Sequence, residues 1–398
     1  MNVYVRELGR ALGARGAQVD IFTRRQECDS PDVVEYAPGV RVIHLDAGPH
    51  RQVDKYDVLD YLDEFACGIQ RWRALTGMSY DVIHSHYWLS GRIGSLFSGS
   101  WQVPLVSMFH TLAQLKNRVA ESAAEREQEI RHEIEAQTMA VSDRVIAATE
   151  VDRAQIVRHY GSLAPISVIP GGVDLERFRP LDKAESRASI GVTESNVLLY
   201  VGRIQRLKGL EVLLRAFHES LREDRLADSR LLIVGGLPSS TARRPSHESR
   251  EIARLHNLTK RLGLADKVTF VGAIQQGQLP LYYSAADLTV MPSSYESFGL
   301  VAVESLACGT PVVATRVGGL TTIVRDGATG ALVPWRDPKL FSQTISRLLL
   351  DREELRALSE QARPSVMRFG WDNIADAHLE VFDELATSRR GLTAQALS

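Results

Sequence analysis

Short apolar runs alternate with stretches of helical period along almost the whole chain. Val197-Leu198-Leu199-Tyr200-Val201 is closed by Gly202, and Leu288-Thr289-Val290-Met291 is closed by Pro292. Continuous runs of this length, bounded by turn residues, read as strands buried on both faces. The pattern predicts strands at 18–23, 40–45, 80–85, 104–109, 144–149 and 166–169 in the first half, and at 197–202, 230–234, 268–271, 288–291, 311–314 and 331–333 in the second. Helical periods fill the intervals, so the fold class is α/β, with parallel sheets covered by helices. Two open sheets of about six strands each imply two Rossmann-like, doubly wound domains.

The segment Pro170-Gly171-Gly172-Val173-Asp174, followed by Phe178-Arg179-Pro180, is turn-rich and marks the break between them. The boundaries are then 1–172 for the first domain, 173–368 for the second and 369–398 for a last helix and tail. That helix is predicted near 371–387, after Phe369-Gly370-Trp371. The tail from Arg389 is expected to be disordered. So is part of Ser239 to Ser249, whose Arg243-Arg244 reads as solvated loop charge. At the other end, Met1 to Gly16 reads as a helix with Tyr4, Leu8, Ala11 and Leu12 on one face and Gly16 as its C-cap. Its Arg6, Arg10 and Arg15 resemble a transit peptide, but Glu7 and the strand that follows favour a core helix.

Composition narrows the function classes. With 398 residues and 44% apolar content the chain can bury sizeable cores. A net charge of −2 gives no basic excess to attract nucleic acid. Cys28, Cys67 and Cys308 are far apart, with no metal or disulfide spacing, which fits a reducing, cytoplasmic setting. No apolar run approaches the length of a membrane span, and no secretory apolar region is visible.

The candidate chemistry centres on Glu296-Ser-Phe-Gly-Leu-Val-Ala-Val-Glu304. Glu296 is expected in a strand-to-helix loop and Glu304 about two turns down the helix, up to ~12 Å apart along its axis. The N–H groups of Phe298, Gly299, Leu300 and Val301 would open toward an anion at the helix start. Hydroxyls at both ends and an anionic middle are the layout of a nucleotide-diphosphate sugar. Upstream, Arg203 and Lys208-Gly209 follow the strand-like run 197–202. Arg203 offers forked contacts and Lys208 a point charge, so the pair can hold a diphosphate without a metal.

These motifs, with Gly309-Thr310-Pro311-Val312-Val313, His84-Ser85-His86-Tyr87-Trp88-Leu89-Ser90-Gly91 and His110-Thr111-Leu112, make the chain resemble the retaining glycosyltransferases of family 4, which have the GT-B fold. The resemblance covers almost the whole chain. It is closest to the branch that glycosylates inositol phosphate in mycothiol synthesis and more distant from the sucrose-phosphate synthases. It implies two Rossmann-like domains facing a cleft, with the last helix crossing back to the first domain. It also implies transfer of a hexosyl unit, N-acetylglucosamine in the nearer branch and glucose in the other, from a UDP-sugar to a phosphorylated acceptor. Glu304 would hold the ribose hydroxyls, Glu296 the donor sugar, and Arg203 with Lys208 the departing diphosphate. His110 would touch the transferred sugar. Matched residue by residue, the acceptor phosphate would meet Lys55, Tyr87, Thr111 and Arg131, with Asn2 assisting. No cofactor or metal is implied, and a homodimer is left open.

The resemblance also places a strand and a glycine-rich loop before the first helix, so this reading is expected to begin at an internal methionine. The missing strand would be central, and its loss would leave a slot with unpaired backbone on both neighbours. A catalytically silent nucleotide-sugar-binding protein is the alternative from another class. A nicotinamide dehydrogenase is disfavoured because no G-x-G-x-x-G stands at a strand-to-helix turn. His84 and His86 are spaced to share one face of a strand, but a third metal ligand does not follow from that spacing.

Overall fold

A computed structural model describes residues 1–161, 164–236 and 247–396. Thirteen strands are present among them: β1 Val19–Arg24, β2 Val33–Ala37, β3 Val40–Leu45, β4 Ile83–His86, β5 Leu105–Met108, β6 Arg144–Ala147, β7 Ile166–Val168, β8 Asn196–Val201, β9 Ser229–Val234, β10 Val268–Gly272, β11 Leu288–Met291, β12 Val312–Thr315 and β13 Gly330–Val333. The chain divides into two compact units. The first holds residues 1–117, 124–172 and 371–398, and the second holds 118–123 and 173–370.

The second unit is a six-stranded parallel sheet in the order β10-β9-β8-β11-β12-β13. Counted within the unit this is 3-2-1-4-5-6, the doubly wound order, and the order reverses between β8 and β11. The continuous apolar runs seen in the sequence are its central strands, and β11 is buried from end to end. Its core packs Leu198, Tyr200, Leu231 and Ile233 of the sheet against Leu213, Leu214 and Phe217 on one helix and Phe341 and Ile345 on another.

The first unit does not form one continuous sheet of about six strands; it is divided, as the slot expected for a missing central strand implies. Its seven strands form a three-stranded sheet, β1-β3-β2, and a four-stranded one, β4-β5-β6-β7. In the smaller sheet β1 runs parallel to β3, and β2, which the sequence pattern did not reveal, is antiparallel to β3. All pairs in the larger sheet are parallel. Among the described residues no strand pairs with both β1 and β4, so the sheet is split there. An open edge has a visible consequence. No residue of β1 is fully buried, whereas β5, flanked on both sides, is buried throughout. A small core of Ile43, Leu45, Ile69, Ile93 and Phe97 joins β3 to the helices Leu62–Thr76 and Tyr87–Trp101.

The first helix spans Asn2–Gly13, shorter than the predicted Met1 to Gly16 and with Ala14 in place of Gly16 as its C-cap, but Tyr4, Leu8, Ala11 and Leu12 lie on its buried face, as the pattern predicted. The last helix spans Trp371–Ala396, well beyond the predicted end near 387. The tail expected to be disordered from Arg389 is therefore helical through Ala396. Its sequence holds no proline, and the single Gly391 does not break a helix otherwise made of helix-formers. This helix belongs to the first unit. Trp371 packs edge-on to Tyr4, and Arg15 pairs with Asp372 and Asp376. The segment Ser239 to Ser246, with Arg243-Arg244, lies outside the described residues, and the helix His247–Arg261 takes up the remaining three positions, 247–249. No described helix is long and apolar enough to cross a membrane.

Candidate active site

In the second unit the candidate donor residues gather at the carboxyl ends of β8 and β11, beside the point where strand order reverses. Open α/β sheets bind ligands at this place. After β8 the chain runs through Arg203, whose side chain is exposed, to a short turn Arg206–Lys208. Lys208 reaches across to the loop after β11, and its Nζ lies 2.5 Å from Glu296 Oε2. The two loops are tied further by Ser294, whose backbone N–H and hydroxyl both donate to the Leu207 carbonyl, at 2.8 and 3.0 Å.

Two glycines make this approach feasible. A Cβ on Gly209 would stand 2.0 Å from the Pro292 carbonyl oxygen, and one on Gly318 would stand 2.0 Å from the Glu296 carbonyl oxygen. Both have positive φ, +70° and +45°, a region that glycine occupies without penalty. Gly319 N–H also donates to the Glu296 carbonyl at 2.9 Å. The sequence reading named Gly209 but not Gly318-Gly319. A glycine pair after β12 was the only signal for it.

The helix that follows Glu296 spans Leu300–Ala307 and is capped by Gly299 at φ +104°, with no side-chain cap. Glu304 therefore lies little more than one turn along it, not two, because Ser297 to Gly299 are not helical. The first-turn N–H groups of Leu300 and Val301 have no intrahelical acceptor. Phe298 is buried edge-on against Phe369, so it anchors the loop with its side chain. Glu304 is half-buried and accepts a hydrogen bond of 2.8 Å from the Tyr283 hydroxyl. Burial raises its carboxyl to about 7, against the opposing effects of Tyr283, Arg177 and Gln276. Nothing in the sequence had singled out Tyr283.

In the first unit the candidate residues lie beyond β4 and β5 and on the helix Glu129–Val141. His110 sits in a turn after β5, where Thr111 N–H donates to the Phe109 carbonyl at 2.6 Å. Its φ is +59°, and that of Tyr87, the first residue after β4, is +80°. Bulky residues avoid this region, and such strain persists where surrounding structure holds it. His86 Nδ1 lies 3.1 Å from His110 Nε2. The rings of His84 and His86 lie 4.1 Å apart, tilted to one another, and His378 of the last helix and Tyr4 of the first complete the cluster. Burial pushes the imidazole of His110 down to about 3 and that of His378 to about 4. Burial, reinforced by neighbouring rings, also holds His84 and His86 well below the usual range. Among the described residues no three His, Cys, Asp or Glu side chains are arranged to hold a metal ion.

Arg131 is completely buried, and every edge of its guanidinium is used. Nε donates to Glu135 at 2.7 Å, and one terminal nitrogen reaches the Tyr87 hydroxyl at 3.2 Å and Glu127 at 3.1 Å. The other donates to the Thr111 carbonyl and hydroxyl at 2.6 and 3.1 Å. The structure thus brings Tyr87, Thr111 and Arg131 together. Lys55 joins them through Glu127, whose carboxylate also pairs with Lys116. Asn2 is exposed at the start of the first helix, and among the described residues no hydrogen bond joins its side chain to the other four. Lys116 and Glu127 were not identified from the sequence, since single charges in a charge-rich stretch carry no pattern.

Comparisons with known proteins bear on both halves. Residues 1–177 match the family described as Glycosyltransferase Family 4, and residues 182–365 match that described as Glycosyl transferases group 1. A D-inositol 3-phosphate glycosyltransferase 2 from Catenulispora acidiphila is 42% identical over 98% of this chain and 91% of its own length. The chain belongs to glycosyltransferase family 4. A D-inositol 3-phosphate glycosyltransferase from Thermobispora bispora is 43% identical over 96% of the chain and 89% of its own. Among solved structures, the sucrose-phosphate synthase of Thermosynechococcus elongatus superposes with a TM-score of 0.89 at 35% identity, covering 97% of this chain and 94% of its own. The fold is GT-B, and this family 4 member is a hexosyltransferase.

Proposed function

We propose that this glycosyltransferase moves a hexosyl unit, N-acetylglucosamine in the first instance, from a UDP-sugar to inositol 3-phosphate with retention at the anomeric carbon. The reading uses no metal and no cofactor. The donor side rests on the Lys208–Glu296 contact at the switch point of a doubly wound sheet. Arg203 and Lys208 stabilise charge on the leaving diphosphate, aided by the helix starting at Leu300. Glu304 takes the ribose hydroxyls and Glu296 the donor sugar.

The observation that carries the acceptor class is a linked cluster: Lys55 and Arg131 share one buried anion, Glu127, and Arg131 in turn holds the Tyr87 and Thr111 hydroxyls. Two cations with two hydroxyls suit a phosphomonoester. The curated relatives act on inositol 3-phosphate by name, and their identity over nearly the full chain supports the same acceptor here. The likeness to a sucrose-phosphate synthase supports fructose 6-phosphate with UDP-glucose as the second reading.

UDP release from UDP-N-acetylglucosamine is the test. Inositol 3-phosphate should drive it and unphosphorylated inositol should not. Lys55→Ala should raise KM for the phosphorylated acceptor with little change in KM for the donor. Equal rates with the two inositols would discard the phosphate site. Silence with both, but release with fructose 6-phosphate and UDP-glucose, would replace the first reading by the second.

A further inference from the structure

The cation set around Glu127 is larger than the resemblance implied, and its occupant is unusual. Glu127 is 1% exposed, yet it lies between Lys55 and Lys116, whose side chains keep 33% and 24% of their surface. Arg131 Nη1 lies 3.1 Å from the same carboxylate, and the Tyr56 hydroxyl donates to it at 2.6 Å. The backbone of Glu127 is clamped by Asn117, which accepts from its N–H at 2.6 Å and donates to its carbonyl at 3.2 Å. Burial works against the charge of Glu127, but Lys116, Lys55 and Tyr56 outweigh it and hold the carboxyl well below the usual range.

Arg131 has no unused edge. Glu135, Thr111 and Tyr87 take its remaining donors, and Glu135 is itself held by Ala113 N–H at 3.0 Å and by the Tyr160 hydroxyl. The contact with Glu127 is the one that can be exchanged without dismantling the support of Thr111 and Tyr87. A phosphoryl group carries close to two negative charges at neutral pH. Beside a fixed carboxylate it is repelled, and in place of that carboxylate it meets three cations.

We propose that Glu127 is the resident anion of the acceptor-phosphate site, displaced from its cations when a phosphorylated acceptor binds, and that Lys116 is a third cation of that site. This rests on the reading of a phosphorylated acceptor given above. The exchange makes Glu127 a specificity filter. A dianion can supplant a single carboxylate among three cations, and a neutral polyol cannot.

The test uses the full chain and two probes, inorganic phosphate by calorimetry and inositol 3-phosphate by steady-state kinetics. Glu127→Gln keeps the shape and removes the competing charge. It should tighten phosphate binding and lower KM for inositol 3-phosphate by about tenfold, with KM for the donor unchanged. Lys116→Met should do the reverse, also by about tenfold, in both measurements. Weaker phosphate binding by a folded Glu127→Gln would make Glu127 a scaffold and overturn the exchange. An unchanged Lys116→Met would remove Lys116 from the site, and this variant serves alone should Glu127→Gln fail to fold. If wild type turns over inositol 3-phosphate while both variants behave as wild type, only this proposal falls. If wild type neither binds phosphate nor uses a phosphorylated acceptor, the function proposed above falls first.

Discussion

Lys208 and Glu296 hold each other at 2.5 Å, each less than one-fifth exposed. They neutralise one another in this contact, and the function proposed above gives them separate tasks on a nucleotide sugar. Replacing Lys208 by Ala removes the charge proposed to meet the leaving diphosphate. Loss of one such electrostatic contact typically lowers turnover by about 100- to 1,000-fold, so kcat of Lys208→Ala should fall at least that far. Turnover within threefold of wild type would remove Lys208 from the machinery. Glu304 offers a second residue-scale prediction, with its sign set by burial. Its carboxyl titrates at about 7, so it is neutral below that pH and anionic above it. An anion accepts hydrogen bonds from ribose hydroxyls more strongly than a neutral acid does. Affinity for a UDP-sugar, whose diphosphate has no group titrating near 7, should therefore rise between pH 6 and 8, by at most about tenfold per unit. Glu304→Gln should flatten the profile, and a wild-type affinity constant across that range would contradict the assignment.

At the scale of elements, the site depends on loops being allowed to approach. Gly318→Ala would push a methyl group into the Glu296 carbonyl, 2.0 Å away, whereas Gly327, also at positive φ, has nothing within 4 Å. Gly318→Ala should lower kcat/KM for the donor by tenfold or more. Gly327→Ala should cost only the backbone penalty, about 1–2 kcal/mol, without touching the kinetics. Similar losses in both variants would show that loop strain, not the position of Glu296, is being read. The contrast also explains what was legible in the sequence. Eleven strands were located to within a residue or two by short apolar runs bounded by turn residues, least ambiguously where both faces are buried as in β11 and β12, and β4 Ile83–His86 began three residues later than read. β2 escaped because Val33–Ala37 is an exposed edge with a mixed pattern. The gap in the first unit's sheet followed from the resemblance, which places a strand there, and not from any local period. Charged pairs flanking a strand end, such as Arg203 and Lys208, stood out by position. Lys116, Glu127 and Tyr283 did not, because only the folded chain brings them to Arg131 and to Glu304.

For the molecule as a whole, the two units should differ in their response to acid, because one of them gathers its histidines. His84, His86, His110 and His378 pack together in the first unit, and burial depresses all four imidazoles. In the unfolded chain each takes up its proton near pH 6.5. The folded first unit resists protonation until lower pH, to about 4 for His378 and about 3 for His110. Below 6.5 the unfolded state thus binds more protons than the folded one, so stability is intact above 6.5 and is lost as pH falls. Each histidine can contribute up to about 1.4 kcal/mol per pH unit. His84, His86 and His110 retain some contact with solvent and will deliver less. A calorimetric scan of a two-unit protein need not be two-state, and a UDP-sugar, which the proposed donor site places on the second unit, should raise that unit's transition. The other transition should then fall more steeply between pH 7 and pH 5. His378→Phe removes the ring that contacts both His84 and Tyr4. It should lessen that slope in the transition the ligand does not shift, and an unchanged slope would separate the histidine cluster from the acid response.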